Sequence, residues 1–261
     1  MQRDVDARGR FLTRIVAVVA IFFFASGSLV LYLVTAPGLT TVEAAPTLPT
    51  VPTIVVAGDS LTQYGLDPTV LGYHTLLAQS YMRRADVLNR GFAGWTTSDF
   101  LAAAVPPMVA EMAPPLLLTL LLGTNDAVLP GNMGHASVAA YMANLEAILT
   151  AFQNAFPSTK LLLLTPPPVV DAVQAGQHSN AVLAAYVRGC KQVGAARNVP
   201  VLDVFGTWSN RSTTSYYLSD GIHLAAAGNR ALHELLVQAI ASSYPALSPN
   251  ALRTFFVRPK Q

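Results

Sequence analysis

Five short apolar runs alternate with segments of helical periodicity over the last four fifths of the chain. The runs are Thr53–Ala57, Ala85–Leu88, Leu116–Leu122, Lys160–Thr165 and Pro200–Val204. Apolar residues recur with the 3.6-residue helical period over Leu71–Arg84, Val138–Phe156, Asn180–Arg197 and Leu224–Ile240. This alternation implies right-handed crossovers and a parallel sheet with helices on both faces. We therefore predict one three-layer α/β/α domain with a five-stranded parallel sheet over residues 53–245.

Polar or glycine-containing blocks follow four of these five runs. Ligands of parallel sheets bind at the carboxyl ends of the strands, so the blocks are expected to meet at one edge. The residues that we single out in them are Ser60, Gly94, Asn125, Asp220 and His223.

The serine and the histidine suggest nucleophilic catalysis. Ser60 lies in Gly58-Asp59-Ser60-Leu61, at a predicted strand-to-helix turn. A serine hydroxyl attacks only when a base takes its proton, and a third group must orient that base. His223 lies three residues after Asp220, and Gly221 permits a tight turn between them. The alternative for this spacing is a helix N-cap with a solvated histidine.

Asn125 and Gly94 are candidates for stabilising an oxyanion. Asn125 follows a run apolar enough to be buried on both faces, where its amide can donate to a developing negative charge. The alternative is a turn asparagine, chosen for its backbone preferences. Gly94 lies in a block, Asn89–Trp95, where glycine lets a backbone N–H approach a substrate closely.

Together these four blocks resemble the GDSL, or SGNH, hydrolase family, in which they occur in the same order, from about residue 54 to residue 240. Within the family the chain is most similar to the isoamyl acetate-hydrolysing esterases. The resemblance implies a flavodoxin-like fold, with Ser60 as nucleophile, His223 as base and Asp220 as its orienting acid. It also implies an oxyanion hole made by Ser60, Gly94 and Asn125, with Gly91 as the alternative glycine, and assigns Asp59 no chemistry.

The resemblance implies hydrolysis of short-chain, acetyl-type esters through an acyl-enzyme. Two alternatives stay open: acyl transfer to a sugar or lipid hydroxyl, and a non-catalytic membrane-anchored binding protein. The stretch Tyr64–Tyr73 does not align with the family pattern, which leaves the shape of the pocket open. The expected partner is a small-molecule ester. We find no metal-ligand cluster and no phosphate-binding loop, so no cofactor is expected.

The apolar segment Ile15–Val34 predicts one transmembrane helix ahead of the domain, an uncleaved signal anchor. Its 20 residues contain no charge and match a hydrocarbon layer of ~30 Å. Residues 1–14 hold Arg3, Arg8, Arg10 and Arg14, and the next basic residue is Arg83. The positive-inside rule then places the N-terminus in the cytoplasm and the domain in a lumen or outside the cell. The alternative is a secretory signal peptide cleaved after Val42-Glu43-Ala44.

Composition limits the remaining partners and segments. The formal charge of +2 comes from residues 1–14, which hold 4 of the 16 basic and 2 of the 14 acidic residues, leaving 12 of each. A neutral body argues against nucleic acid as a partner. Residues 35–52 form a linker rich in Pro and Thr, and residues 246–261 a C-terminal tail. The single Cys190 is expected to be buried, and Asn210-Arg211-Ser212 matches a glycosylation acceptor.

Overall fold

The computed structural model describes residues 51–209 and 214–255. Five strands form one parallel sheet in the order β2-β1-β3-β4-β5. They are β1 Thr53–Gly58, β2 Asp86–Gly91, β3 Leu117–Leu121, β4 Lys160–Leu164 and β5 Val201–Leu202. The predicted α/β architecture with a five-stranded parallel sheet is confirmed, and this strand order is the flavodoxin-like one.

The helices cover both faces of the sheet. They are α1 Ser60–Gln63, α2 Tyr73–Ser80, α3 Thr97–Asp99, α4 Val105–Glu111, α5 Val138–Ala155, α6 Asn180–Ala196, α7 Val204–Trp208 and α8 Ala226–Ser243. One π-helical turn, Phe100–Ala104, joins α3 to α4. Short 3₁₀ turns occur at Tyr64–Leu66, Pro68–Val70, Thr214–Tyr216 and Pro245–Leu247.

Side chains of the central strands alternate between two hydrophobic layers. Val55 and Ala57 of β1 face the layer that α3 to α6 cover, which contains Phe100, Tyr141 and Tyr186. Ile54 and Val56 face the other layer, which α2 and α8 cover with Tyr73, Leu77, Leu232 and Leu236. This two-residue alternation explains why β1 is apolar at every position from 54 to 57.

Two predicted strands have different bounds. The second was expected over Ala85–Leu88 but extends to Gly91, because Asn89 and Arg90 lie on an edge strand where polar side chains are only half-buried. The fifth was expected to reach Val204 but ends at Leu202. There the side chain of Asp203 accepts a hydrogen bond from the backbone N–H of Gly206 at 2.9 Å and caps α7.

Two helical segments also differ from the sequence pattern. The predicted helix Leu71–Arg84 is shorter, Tyr73–Ser80, since Leu71 and Arg83 adopt left-handed backbone conformations with φ of 48° and 60°. The helical segment from Thr97 to Glu111 was not predicted. Its two prolines suggest a break, but they lie in the first turn of α4, where proline is tolerated.

Several sequence features lie outside the described residues. They are the apolar segment Ile15–Val34, the linker up to residue 50, the triplet Asn210-Arg211-Ser212 and the last six residues. Across residues 51–209 and 214–255, none of the helices combines the length and the hydropathy needed to cross a bilayer.

The first half of the predicted tail packs against the domain. The hydroxyl of Tyr81 donates to the backbone carbonyl of Leu247 at 2.7 Å, and the Arg84 guanidinium donates to that of Leu252 at 2.6 Å. The backbone N–H of Phe255 donates to the carbonyl of Arg83 at 2.7 Å. Residues 247–255 therefore run beside the end of α2.

Candidate active site

Ser60 lies in a tight connection between β1 and α1, which we call the serine turn (residues 58–63). Gly58 has no room for a side chain, because a Cβ there would lie 2.3 Å from the carbonyl oxygen of Leu121. Asp59 caps α1 by accepting the backbone N–H of Leu61 at 3.0 Å. Ser60 is the first residue of α1 and is partly exposed. Its backbone N–H is therefore one of those that have no acceptor within the helix.

Asp220 and His223 lie together in a turn before α8, the Asp-His turn (residues 218–224). His223 Nδ1 is 2.8 Å from Asp220 Oδ2. The other carboxylate oxygen, Oδ1, accepts the backbone N–H groups of Ile222 and His223, each at 2.9 Å. Gly221 has a φ of +72°, which this reversal of the chain requires. The carboxylate thus holds both the turn and the imidazole.

The alternative interpretation of the Asp-x-x-His spacing is wrong. Helix α8 begins at Ala226, and its N-cap residue is Ala225. Asp220 therefore does not cap this helix. Partial burial raises the pKa of the Asp220 carboxyl, but hydrogen bonds from the Ile222 N–H and from His223 outweigh it and hold the pKa below its ordinary value. Asp220 is ionised at neutral pH and favours the tautomer of His223 that carries its proton on Nδ1.

The ring of His223 lies beside the serine turn. It contacts Tyr64 edge to face, with the ring centroids 5.0 Å apart and the planes at 75°. Tyr64 follows Ser60 by four residues, about one helical turn. The structure thus brings the Asp-His turn next to the residue that follows α1, the helix that begins with Ser60.

Gly94 lies in a loop that continues from β2. The backbone N–H of Phe92 donates to the carbonyl of Gly58 at 2.9 Å, and that of Ala93 donates to Gln63 Oε1 at 2.7 Å. Gly94 has a φ of +79° and is exposed, and no heavy atom outside residues 93–95 lies within 4 Å of where its Cβ would be. Its backbone is therefore open to an approaching molecule.

The alternative glycine, Gly91, is less suited to donate to a substrate. Its backbone N–H already donates to Asn89 Oδ1 at 2.9 Å. A Cβ at Gly91 would lie 2.1 Å from the backbone nitrogen of Gln63, so this glycine lets β2 pack closely against α1. Close packing therefore explains why residue 91 is a glycine. Gly94 is the better candidate for donating its backbone N–H to a substrate.

Asn125 follows β3 and connects to the Gly94 loop. Its Nδ2 donates to the backbone carbonyl of Trp95 at 2.8 Å. An amide nitrogen carries two hydrogens, so one further donor is available. The next residue, Asp126, is fully buried and accepts both the backbone N–H and the hydroxyl of Thr97. The asparagine loop (residues 123–136) therefore holds the loop after β2 in place.

Sequence reasoning missed two contributors to this site. Asp126 belongs to the Gly-Thr-Asn-Asp block but received no role, because its partner Thr97 is 29 positions away. Tyr64 lies in the stretch that did not align with the family pattern. A buried acid following a buried strand is a signal for Asp126, since such a carboxylate requires partners. No comparable signal exists for Tyr64.

The potential metal ligands and the single cysteine are the other side chains considered for chemistry. In that part, the His, Cys, Asp and Glu side chains form no group of three or more that could hold a metal ion. Cys190 is buried, and desolvation raises the pKa of its thiol to about 12. The predicted burial of this thiol is confirmed, and at neutral pH it remains protonated and unreactive.

A flavodoxin-like sheet with a serine at the start of its first helix and an Asp-His pair after its last strand is the architecture of a three-layer serine hydrolase. A family model, the GDSL-like lipase/acylhydrolase family, matches residues 56–231. The chain belongs to this family, as its sequence motifs predict, and it is a carboxylic ester hydrolase.

Relatives and solved structures agree with this assignment. The chain is similar to the isoamyl acetate-hydrolyzing esterase 1 homologs of mouse and cattle, with 31% identity over 218 residues and 30% over 217. Each alignment covers 76% of this chain and 86% of the relative. A lipase/acylhydrolase structure from Enterococcus faecalis superposes with a TM-score of 0.62 and 26% identity, covering 80% of this chain and 99% of that one.

Proposed function

We propose that this protein hydrolyses short-chain carboxylic esters through an acyl-enzyme formed on Ser60. The observation that carries the proposal is the pair of contacts made by the His223 ring. Its Nδ1 is bonded to Asp220, and its ring packs against Tyr64, one turn after Ser60. An imidazole whose Nδ1 carries the proton has Nε2 as its basic nitrogen, and this ring lies against the residue that follows α1.

In the proposed first half-reaction, Ser60 Oγ attacks the ester carbonyl carbon while His223 Nε2 takes the hydroxyl proton. The resulting tetrahedral intermediate collapses, the bond to the alcohol oxygen breaks, and the imidazolium gives its proton to the leaving alcohol. A water molecule then attacks the acyl-enzyme by the same route, releasing the carboxylic acid and restoring Ser60. Asp220 stabilises the imidazolium without taking its proton.

Three donors are proposed to stabilise the oxyanion. They are the backbone N–H groups of Ser60 and Gly94 and the second amide hydrogen of Asn125. The support is that Ser60 begins a helix, Gly94 has an open backbone, and Asn125 is fixed by Trp95. Removing one such side-chain donor typically lowers kcat by ~10²- to 10³-fold.

The proposed substrate is an ester with a small acyl group such as acetyl. The support is the likeness to proteins named as isoamyl acetate-hydrolyzing esterase homologs, which match this chain over most of their length. A panel of p-nitrophenyl esters from acetyl to dodecanoyl, assayed with the full chain, tests the acyl group. A kcat/KM that rises steadily towards the long chains would contradict it.

Replacement of the nucleophile tests the chemistry itself. Ser60→Ala should lower kcat by ~10³-fold or more and should abolish labelling by a fluorophosphonate probe. Ser242→Ala, which changes an exposed serine of α8, is the matched control and should retain full activity. Undiminished hydrolysis by purified Ser60→Ala would overturn the proposal. Adding an acceptor alcohol and analysing the products separates hydrolysis from acyl transfer, since an acyltransferase would give mainly the new ester.

We also propose that Ile15–Val34 anchors the protein in a membrane, with the N-terminus in the cytoplasm and the domain on the other side. The support is its length, its lack of charge and the four arginines before it. After expression in cells, alkaline extraction should leave the full-length protein in the membrane fraction. A soluble form whose N-terminus follows Ala44 would indicate a secreted protein instead.

A further inference from the structure

The segment after β4 contacts both of the loops that carry the proposed site. This bridging segment (residues 169–178) lies between β4 and α6 and contains none of the residues assigned above. On one side it contacts the asparagine loop, and on the other side the Asp-His turn.

Three polar contacts join the bridging segment to the asparagine loop. His178 Nε2 is 3.1 Å from the backbone carbonyl oxygen of Thr124, the residue before Asn125. The backbone N–H of Leu129 donates to the carbonyl of Gln177 at 2.8 Å, and Asn132 Nδ2 donates to that of Gly176 at 3.0 Å.

Two hydrogen bonds and a packing contact join the same segment to the Asp-His turn. Gln174 Nε2 donates to the backbone carbonyl of Asp220 at 2.6 Å, and the backbone N–H of Val170 donates to that of Gly221 at 2.9 Å. Val173 packs so closely on Gly221 that a Cβ there would lie 2.9 Å from Val173 Cβ.

The side chains of Gln174 and His178 connect these two sets of contacts. His178 Nδ1 is 2.8 Å from Gln174 Oε1, and the imidazole is buried. A chain of polar contacts therefore runs from the Thr124 carbonyl through His178 and Gln174 to the Asp220 carbonyl. Both ring nitrogens of His178 face oxygen atoms that can only accept. A protonated ring therefore donates two hydrogen bonds, and a neutral ring donates one. The bond from Gln174 to Asp220 does not use that ring.

We propose that Gln174 and His178 are positioning residues for ester hydrolysis, which hold the Asp-His turn in register with Asn125. This inference rests on the function proposed above. His223 must deprotonate the Ser60 hydroxyl as it attacks the same carbonyl group whose oxygen Asn125 stabilises. Yet Asn125 and His223 lie on loops 98 positions apart in sequence. Misplacement by about 1 Å can lower a rate by ~10²-fold, so a link between the loops has a direct effect on turnover.

The test compares Gln174→Ala, Gln174→Glu and His178→Ala with the control Gln177→Ala. Gln177 lies in the same segment and its side chain is exposed. Its replacement therefore also removes a glutamine side chain but leaves the contacts of Gln174 and His178 in place. Gln174→Glu keeps the length of the side chain but cannot donate to the Asp220 carbonyl once ionised. The kinetic measurements are KM and kcat for p-nitrophenyl acetate, with kcat expressed per active site titrated by a fluorophosphonate. The rate at which the fluorophosphonate labels Ser60 and the midpoint of thermal unfolding are measured as well.

We expect the three test variants to lower kcat per titrated site and the rate of labelling about 10-fold, with KM changed less than 2-fold. Gln174→Glu should be at least as damaging as Gln174→Ala, and Gln177→Ala should match the wild type.

A structural role alone would lower the thermal midpoint and the fraction of titratable protein but leave kcat per titrated site unchanged. That result would overturn the inference, as would test variants that equal the Gln177→Ala control. Failure of the proposed function is distinguishable, because the wild type would then not be labelled at Ser60 at all.

Discussion

The serine turn and the Asp-His turn present two halves of one proposed site, but they are held in different ways. The serine turn is fixed by the sheet itself, since Gly58 lies against the Leu121 carbonyl and its own carbonyl accepts the N–H of Phe92. The Asp-His turn is partly exposed and is held by its own carboxylate and by the bridging segment. Backbone packing against the sheet thus places the nucleophile, whereas the base is placed by side-chain hydrogen bonds of Asp220 and Gln174 together with backbone hydrogen bonds of the turn.

This difference predicts where substitutions act. Changes at the Asp-His turn should alter activity with little effect on stability, because a few exposed hydrogen bonds are lost. Changes beneath the serine turn should alter the free energy of unfolding as well, because buried groups are involved. The following four substitutions test the contrast from the largest expected effect to the smallest.

Asp220→Asn should separate activity from stability most clearly. The amide oxygen can still accept the backbone N–H groups of Ile222 and His223, but the amide nitrogen would face His223 Nδ1 and favour the wrong tautomer. We expect kcat to fall by ~10³-fold with the thermal midpoint nearly unchanged. Steady-state kinetics and thermal unfolding measure both, with Asp86→Asn, an exposed position on β2, as the control. A loss under 10-fold would contradict the assigned role.

Asn125→Ala tests the loop between the two turns. It removes the proposed oxyanion donor and the hydrogen bond to Trp95 at 2.8 Å. We expect kcat to fall by ~10²-fold or more while KM changes little, because the donor acts on charge that develops in the transition state. Asn154→Ala, which changes an exposed asparagine of α5, is the control and should retain full activity. A rise in KM with kcat unchanged would indicate that Asn125 binds the substrate in its ground state only.

Asp59→Asn tests the buried side of the serine turn. The Asp59 carboxyl is fully buried, and desolvation, with the nearby Asp126 adding to it, raises its pKa from 3.8 to about 7. The pKa of Asp59 is higher in the folded protein than in the unfolded chain. The free energy of unfolding therefore falls as the pH rises from the pKa of the unfolded chain towards that of the folded protein. Between pH 5 and pH 7 we expect the wild type to lose about 2 kcal/mol relative to Asp59→Asn.

The measurement for Asp59 is denaturant unfolding of both proteins at several pH values. Asparagine can still cap α1 through its side-chain oxygen, so the capping bond to Leu61 should survive the replacement. If the difference between the two proteins is independent of pH, Asp59 does not titrate in this range.

Tyr64→Leu tests the direct contact between the two halves. Losing the edge-to-face contact with His223 should lower kcat about 3-fold, in line with the modest energy of an aromatic pair. Tyr64→Phe keeps the ring and should equal the wild type in the same kinetic assay. An equal loss in both variants would point to the Tyr64 hydroxyl instead of the ring contact.

The sequence predicts the fold well because its strands are local apolar runs. β1, β3 and β4 lie within one residue of the predicted bounds, since each is buried by both helical layers and therefore continuously apolar. The predicted bounds of the edge strands β2 and β5 were less accurate, because the side chains of Asn89 and Asp203 accept local hydrogen bonds that a hydropathy pattern does not detect.

The candidate site was predicted from motifs, and its supporting contacts were not. The Asp-x-x-His spacing encodes a contact within one turn, which the structure contains. Gln174, His178 and Tyr64 act, in our interpretation, on partners 46, 54 and 159 positions away. Such pairings depend on how loops pack at the edge of the sheet, and one sequence holds no local pattern that reveals them.

The contacts of residues 247–255 with the end of α2 have a practical consequence for shortening the chain. An expression version that stops at residue 245, where the sequence pattern ends, would remove the carbonyl acceptors of Tyr81 and Arg84 and uncover the Tyr81 ring, which has no exposed surface. The hydroxyl of Tyr81 would lose its protein partner and the apolar ring would gain exposure to water, and both changes destabilise the shortened chain. Soluble fragments should therefore extend through Phe255.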